Sequence, residues 1–480
     1  MATDNTEHAP AISDALETPA STPDHGLFGM TPEGFAWATG IEDTFIAQTE
    51  RIGERVLDEY ALTNHYLYWR EDIDMAAALG VRAMRYGIPW YKVEPVPGVF
   101  QWEWVDRVLE YAAGKGIAII ADLIHYGTPL WLDNQFLNSS YPQRVANFAF
   151  EFASRYRHLL SHYTPLNEPL VTVYFCGERG IWPPYLRGDD GAVKLLRSVA
   201  QGMALTVQAI RQADRRAVIV SVDAAGESLP VGTAPDLEHA ASLRTARTFI
   251  ATDLITGRVQ DGHPLMGWLL AHGMSESDLS WFAGQAVHVD IVGVNYYPES
   301  SVHQMQQAGE VYVQKGVWGG ADGLYRALRA FATRYGRPVM VTETSTNGSI
   351  QQRSQWLNDS IAVVARLRAE GVPVVGYTWW PLFDLIDWSY RAGARPIEEF
   401  MARLGPPVLD AQHIARMLEA MRWNRLEQLP LEAYLAPMGL YSLEMQFDGT
   451  FRRVATPLVE QYASCIRTGP DAPDTPSRAN

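Results

Sequence analysis

Short apolar or β-branched runs alternate with longer helical patterns along most of the chain. The runs are FAWAT from Phe35, AMRYGI from Ala83, AIIADLI from Ala118 and HYTPLN from His162. They continue with AVIVSVD from Ala217, VDIVGVNYY from Val289, PVMVTET from Pro338 and PVVGYTWW from Pro373. Between them lie segments with apolar residues at helical spacing, such as REDIDMAAALG and WVDRVLEYAAGKG, each closed by glycine. Strands alternating with helices predict parallel βα units, and eight strands is the number that closes a barrel. The expected fold class is therefore α/β: a single (β/α)8 TIM barrel. An open doubly wound sheet is the rival, but FAWATGIEDTF lacks the glycine cluster such sheets carry after the first strand.

Two segments break the alternation. Residues 391–437 follow the eighth run and contain two helix-like stretches, PIEEFMARLG and DAQHIARMLEAMRWNRLEQL. They predict a helical insertion in the last βα loop, placed as a lid or wall over the barrel mouth. Residues 1–27 and 466–480 are rich in Pro, Ala, Ser, Thr and acids, which predicts disordered tails around a domain spanning 28–465.

Composition narrows the partners. Hydrophobic residues make up 47% and charged residues 20% of the 480, which is the balance of a globular protein with ample core material. The formal net charge of −16 argues against nucleic acid and anionic membranes, whose recognition needs clustered Lys and Arg. No run is long enough to cross a bilayer, and the N-terminus has neither the basic nor the apolar region of a signal peptide. Cys176 and Cys465 are the only cysteines and sit in no metal-ligand spacing, so a reducing, cytoplasmic setting is expected.

In a (β/α)8 barrel the chemistry sits at the C-terminal ends of the strands. Arg85 lies near the end of the second run, His125 after the third, and Asn167-Glu168 after the fourth. Asn295, Tyr296 and Tyr297 end the sixth and Glu343 the seventh. Trp379 and Trp380 end the eighth, with Asp384, Asp387 and Trp388 just beyond. Singly, each has a plain structural use: a turn carboxylate, a helix-start Thr or Ser, a core histidine, a packed indole. Their joint fall at strand ends is what points to chemistry. Two carboxylates facing each other across a barrel mouth, about 5–5.5 Å apart, are the equipment of a retaining glycosidase.

The ordered motifs resemble glycoside hydrolase family 1, the β-glucosidase and β-galactosidase family, from about Phe35 to Tyr462. TPLNEP resembles the family's acid/base motif and VTETSTNG its nucleophile motif. RYGIPWYKVEPVPGVF, VDIVGVNYY, GYTWWPLFDLIDW and GLYSLEMQFDGTFRRVATPLVEQY resemble four further segments. The resemblance implies Glu168 as general acid/base and Glu343 as nucleophile. It also implies Asn167 on a sugar 2-hydroxyl and His125 on the 3-hydroxyl. Arg85 and Tyr297 would hold Glu343 ionised, and Trp380 would be the floor under the ring. Asp387 and Trp388 would reach the far hydroxyls, with Asn295 among the substrate-binding residues. Trp182, in the loop after the fourth strand, is expected on the leaving-group side, as is Trp131. A cis peptide is expected at Trp380–Pro381.

The chain also departs from the family pattern. ATGIEDTFI lacks the first-strand Gln, for which Glu42 is the expected substitute. A carboxylate only accepts hydrogen bonds where an amide also donates. HYGTP puts Tyr126 and Gly127 where the family has Trp and Asp, and Thr344 follows the nucleophile in place of Asn. Ser389 is present but the Lys-x-Tyr of phosphoglycosidases is not, which disfavours a 6-phosphoglycoside. The expectation is a retaining β-glycosidase with an altered sugar preference. It would act on a small glycoside or oligosaccharide without metal or cofactor. A transglycosylase using the same pair, and a sugar-binding pseudoenzyme, remain alternatives.

Overall fold

The computed structural model describes residues 34–309, 311–393 and 429–471. Eight strands close a barrel: β1 (Ala36–Gly40), β2 (Ala83–Gly87), β3 (Ala118–Asp122), β4 (His162–Thr164), β5 (Val218–Ala224), β6 (Ile291–Asn295), β7 (Val339–Thr344) and β8 (Val374–Trp379). Every neighbouring pair is parallel, and β1 pairs with both β2 and β8, which removes any free edge. All eight expected strands are present, so the fold is a (β/α)8 TIM barrel.

The helices form where the pattern places them. REDIDMAAAL lies in the helix His65–Leu79, which ends at Gly80, and WVDRVLEYAAG lies in Glu103–Gly114. Helices pack on the outer faces of the strands, and the outward residues of the strands join one continuous apolar core with them. The barrel interior holds a separate, smaller cluster: Ala38, Ala83, Ile120, Val220, Val222, Ile291 and Met340. Strand side chains alternate, so two to four residues further along the same inward face stand Arg85, Asp122, Thr342 and Asn295. The interior face thus turns polar at its C-terminal end.

Some elements were not legible in the chain pattern. Glu227–Pro230, Val302–Ala308 and Val311–Val317 form a three-stranded sheet beside the barrel, and Tyr441–Met445 pairs with Phe451–Ala455. The closing helix Pro457–Thr468 runs past residue 465. Of the expected insertion 391–437, residues 394–428 lie outside the described residues, as do 1–33 and 472–480. Its two described edges are firmly held. Arg391 donates to the carbonyls of Ile46, Gln48 and Arg55, and Leu435–Ala436 pairs with Leu385–Ile386. Among the described residues no helix is long and apolar enough to cross a membrane.

Candidate active site

Backbone hydrogen bonds continue the barrel past the strand ends and fix the site. Asn167 N–H donates to the Ile124 carbonyl and Glu168 N–H to the Val222 carbonyl, both at 2.9 Å. Glu168 has φ 44° and ψ 66°, a left-handed conformation uncommon outside glycine. Its carbonyl accepts from Val171 and Thr172 N–H, starting the helix Pro169–Thr172, so the backbone on both sides holds that conformation. On the opposite side, β7 carries a register shift between Val341 and Glu343 against β6. Thr342 faces inward, and strict alternation would turn Glu343 out; the irregularity aims it into the mouth instead.

Glu343 is buried, and both its carboxylate oxygens are taken. Arg85 donates to Oε1 and the Tyr297 hydroxyl to Oε2, the latter at 2.7 Å. The other arm of Arg85 donates to Asp122 Oδ2 at 2.7 Å and to Asn167 Oδ1 at 2.9 Å. Asn295 Nδ2 donates to Glu168 Oε1 at 2.9 Å, while its own Oδ1 accepts from Thr342 at 2.7 Å. Glu168 Oε2 accepts from the Tyr126 hydroxyl. One buried network therefore links the two carboxylates through Arg85, Asn167 and Asn295.

Burial pushes the Glu343 carboxyl up to about 8, with Arg85 pulling down and the charge of Glu168 pushing further up. Arg85 and Tyr297 make the hydrogen bonds expected of groups that favour the ionised carboxylate, and the Arg85 charge works against the effect of burial. Glu168 is also raised, first by burial, against hydrogen bonds from Tyr126 and Asn295 that lower it. The charge of Glu168 is among the causes that raise Glu343, so the protonation of one acid bears on the other.

The sugar-side residues are brought together as well. Trp380 is buried, its indole N–H donates to Glu42 Oε2 at 3.0 Å, and the Arg85 guanidinium lies 4.8 Å above its ring. A Cβ at Gly40 would sit 2.0 Å from that ring, so only glycine on β1 admits the indole. Trp380–Pro381 is cis, as expected. Glu42 Oε1 accepts from Thr44 at 2.6 Å. His125 stacks parallel to Trp380 at 6.3 Å, and its Nδ1 lies 2.6 Å from Asp43 and 3.3 Å from Asp122. Burial favours the neutral ring and the two carboxylates the charged one, and the carboxylates carry His125 above its ordinary value. Glu42, Asp43 and His125 bring ligand atoms within 4.8 Å of one another, a spacing a divalent cation could bridge. The direct His125–Asp43 ion pair already joins two of them.

The outer residues form an aromatic wall. Trp182 stacks on Phe175 at 4.4 Å and meets Trp388 at 5.2 Å, and both indoles pack against Tyr126 at 5.3 Å. Trp182 is buried and Trp388 half-buried. Asp387 caps the 3-10 helix Trp388–Ala392 by accepting from Ser389 N–H at 2.8 Å. Trp131 donates to the Glu94 carbonyl at 2.6 Å, which fixes its indole in the loop.

Sequence reasoning missed three members of the network. Asp122 was absorbed into its apolar strand, although its inward parity with Ile120 was a usable signal. Asp43 adjoins Glu42, and only the fold turns it to His125. Tyr126 looked like a loss of family character, yet it holds Glu168. Its backbone has φ 70°. A Cβ at the next residue, Gly127, would fall 1.5 Å from the Phe45 carbonyl oxygen, so the turn that aims Tyr126 inward needs glycine there.

Residues 36–395 match the family model described as Glycosyl hydrolase family 1. The chain belongs to glycosyl hydrolase family 1. Its relatives are distant. Beta-glucosidase 44 of Arabidopsis thaliana is 23% identical over 419 residues, covering 72% of this chain and 79% of that one. Beta-glucosidase A of Thermotoga maritima is 24% identical over 354 residues, covering 68% and 79%. The solved family 1 β-glucosidase from Thermotoga maritima superposes with a TM-score of 0.73 at 19% identity, covering 92% of this chain and 99% of that one. The family 1 member described here is a divergent, β-glucosidase-like glycoside hydrolase.

Proposed function

We propose that this family 1 member is a retaining β-glycosidase acting on a small β-glycoside or oligosaccharide by double displacement. The observation that carries this reading is the pair Glu168 and Glu343. Both are buried on one mouth, and both are joined to Arg85 through the amide network. Glu343 Oε attacks the anomeric carbon while Glu168 gives its proton to the leaving oxygen. The glycosyl ester removes the Glu343 charge. The pKa of Glu168 then falls, and it takes the proton of the water that cleaves the ester. Asn167 faces the ring carbon next to the anomeric centre, His125 and Glu42 the hydroxyls further round, and Trp380 the ring face. Trp388, Asp387 and Trp182 border the outer side. Free thiols at Cys176 and Cys465 support a reducing compartment.

The test is a panel of nitrophenyl β-glycosides with the first-formed anomer read by NMR. A β-anomer is expected, and an α-anomer first would sink the mechanism. Glu343→Ala should abolish turnover. Glu168→Ala should spare substrates with very good leaving groups, and azide should restore it with a β-glycosyl azide as product.

A second reading is glycosyl transfer to an acceptor other than water. It is favoured by a relative named galactolipid galactosyltransferase from Arabidopsis thaliana, 21% identical over 430 residues, covering 77% of this chain and 62% of that one. Transfer products outnumbering free sugar at millimolar acceptor would favour it.

A further inference from the structure

Asn167 offers two N–H donors and two acceptor positions on Oδ1. None is open. Oδ1 accepts from Arg85 at 2.9 Å and from Asn295 at 3.3 Å. Nδ2 lies 3.0 Å from His125 Nε2 and donates to the Tyr126 hydroxyl oxygen at 3.0 Å. The residue is fully buried. Asn167 is bonded to the Arg85 that holds Glu343 and precedes Glu168 in the chain. Under the proposed function it would face the ring carbon next to the anomeric carbon, as the family resemblance implies.

The oxygen in that position is set by the fold. The Tyr126 ring is buried against His125, Trp182 and Trp388, and its backbone is fixed at φ 70° beside Gly127. Its hydroxyl bridges Asn167 Nδ2 and Glu168 Oε2. A sugar 2-hydroxyl would compete with it for the same N–H and the same space. A CH2 at that ring carbon does not.

We propose that the Tyr126 hydroxyl takes the place of a substrate 2-hydroxyl, so that the site selects 2-deoxy-β-glycosides. This rests on the glycosidase reading and on Asn167 facing the 2-position. The chemistry is compatible. Without an electron-withdrawing group at C2 the oxocarbenium-like transition state forms more readily, and a hydrogen bond at that carbon is less needed. The reaction balances as ordinary hydrolysis: the C1–O bond breaks, water supplies OH to C1 and H to the aglycone. Tyr126 is unchanged and keeps its hydrogen bond to the acid.

The experiment uses matched aryl β-glycosides that differ only at C2, with wild type and Tyr126→Phe. Each kcat/KM is divided by the substrate's spontaneous hydrolysis rate. In wild type the corrected 2-deoxy to 2-hydroxy ratio should be at least one. Tyr126→Phe frees the Asn167 N–H and the space of one oxygen, and should move the ratio about tenfold or more toward the 2-hydroxy substrate, the worth of one recovered hydrogen bond. The phenylalanine variant should also shift the basic limb of its pH profile upward, because Glu168 loses a hydrogen bond that lowers its pKa. A corrected wild-type ratio below one, or a ratio unmoved by Tyr126→Phe, overturns this inference and leaves the glycosidase reading standing. Turnover of neither member overturns both. If Tyr126→Phe does not fold, the wild-type ratio decides.

Discussion

The barrel interior and the barrel mouth are built on the same strands a few residues apart, yet they are opposites in chemistry. Below, Ala38, Ala83, Ile120, Val220, Val222, Ile291 and Met340 fill the bore with apolar atoms. Above, Arg85, Asp122, Asn167, Glu168, Asn295 and Glu343 are also buried, but among charged and polar groups. The interior needs only volume and shape, because dispersion and water exclusion are non-directional. The mouth needs each partner at a set angle, because a buried charge left unpaired costs several kcal/mol. Substitutions in the two layers should therefore fail in different ways.

The largest contrast is at the reacting atoms. Glu343→Ala should lower kcat on the order of 10^4-fold or more, because it removes the nucleophile. A residual rate within tenfold of wild type would refute its role as nucleophile. Next is Arg85→Lys, which loses the planar fork spanning Glu343, Asp122 and Asn167. Activity should fall about 10^2–10^3-fold, and stability by about 1–3 kcal/mol, because at least one buried acceptor loses its donor. Both losses together mark a mouth residue. Met340→Ala in the interior should cost about 2–5 kcal/mol in denaturant titration, with kcat of the folded enzyme little changed. A large kcat loss there would show that the layers are coupled.

Smaller effects follow from titration. The active form of the Glu168–Glu343 pair carries one proton. At low pH both acids are protonated and the nucleophile is lost; at high pH the acid is lost. Because both are raised above ordinary carboxyl values, the bell of kcat/KM should sit above the usual carboxylate range on both limbs. An acid limb near the model-peptide value of about 4.3 would contradict this. The smallest effect lies on β5, at Asp223. Burial raises Asp223 to about 7, against a lowering hydrogen bond from Thr252. Between an unfolded value of about 3.9 and that folded value the native state holds the extra proton, so stability falls as pH rises through this window. Asp223→Asn should flatten that slope in melts taken between pH 4 and 7.

Much of this was legible in the chain. Alternating apolar runs and helical patterns gave the eight strands in order, because the parallel strands are buried on both faces and read as continuous apolar segments. Glu168, Glu343, Arg85 and Tyr297 were legible from short local motifs. The small sheet built on Glu227–Pro230 was not, since its two other strands are largely polar and partly exposed.

Local motifs are enough to name the main acids, amides and aromatic residues of the site and the strand that carries each. Where those side chains point depends on the packed fold. A one-residue irregularity in β7 turns Glu343 inward against its alternation, and a left-handed backbone aims Glu168 at it. The close approach of Gly127 to Phe45 swings Tyr126 onto Asn167. These orientations depend on contacts between residues far apart in the chain, which no local pattern of polar and apolar positions contains.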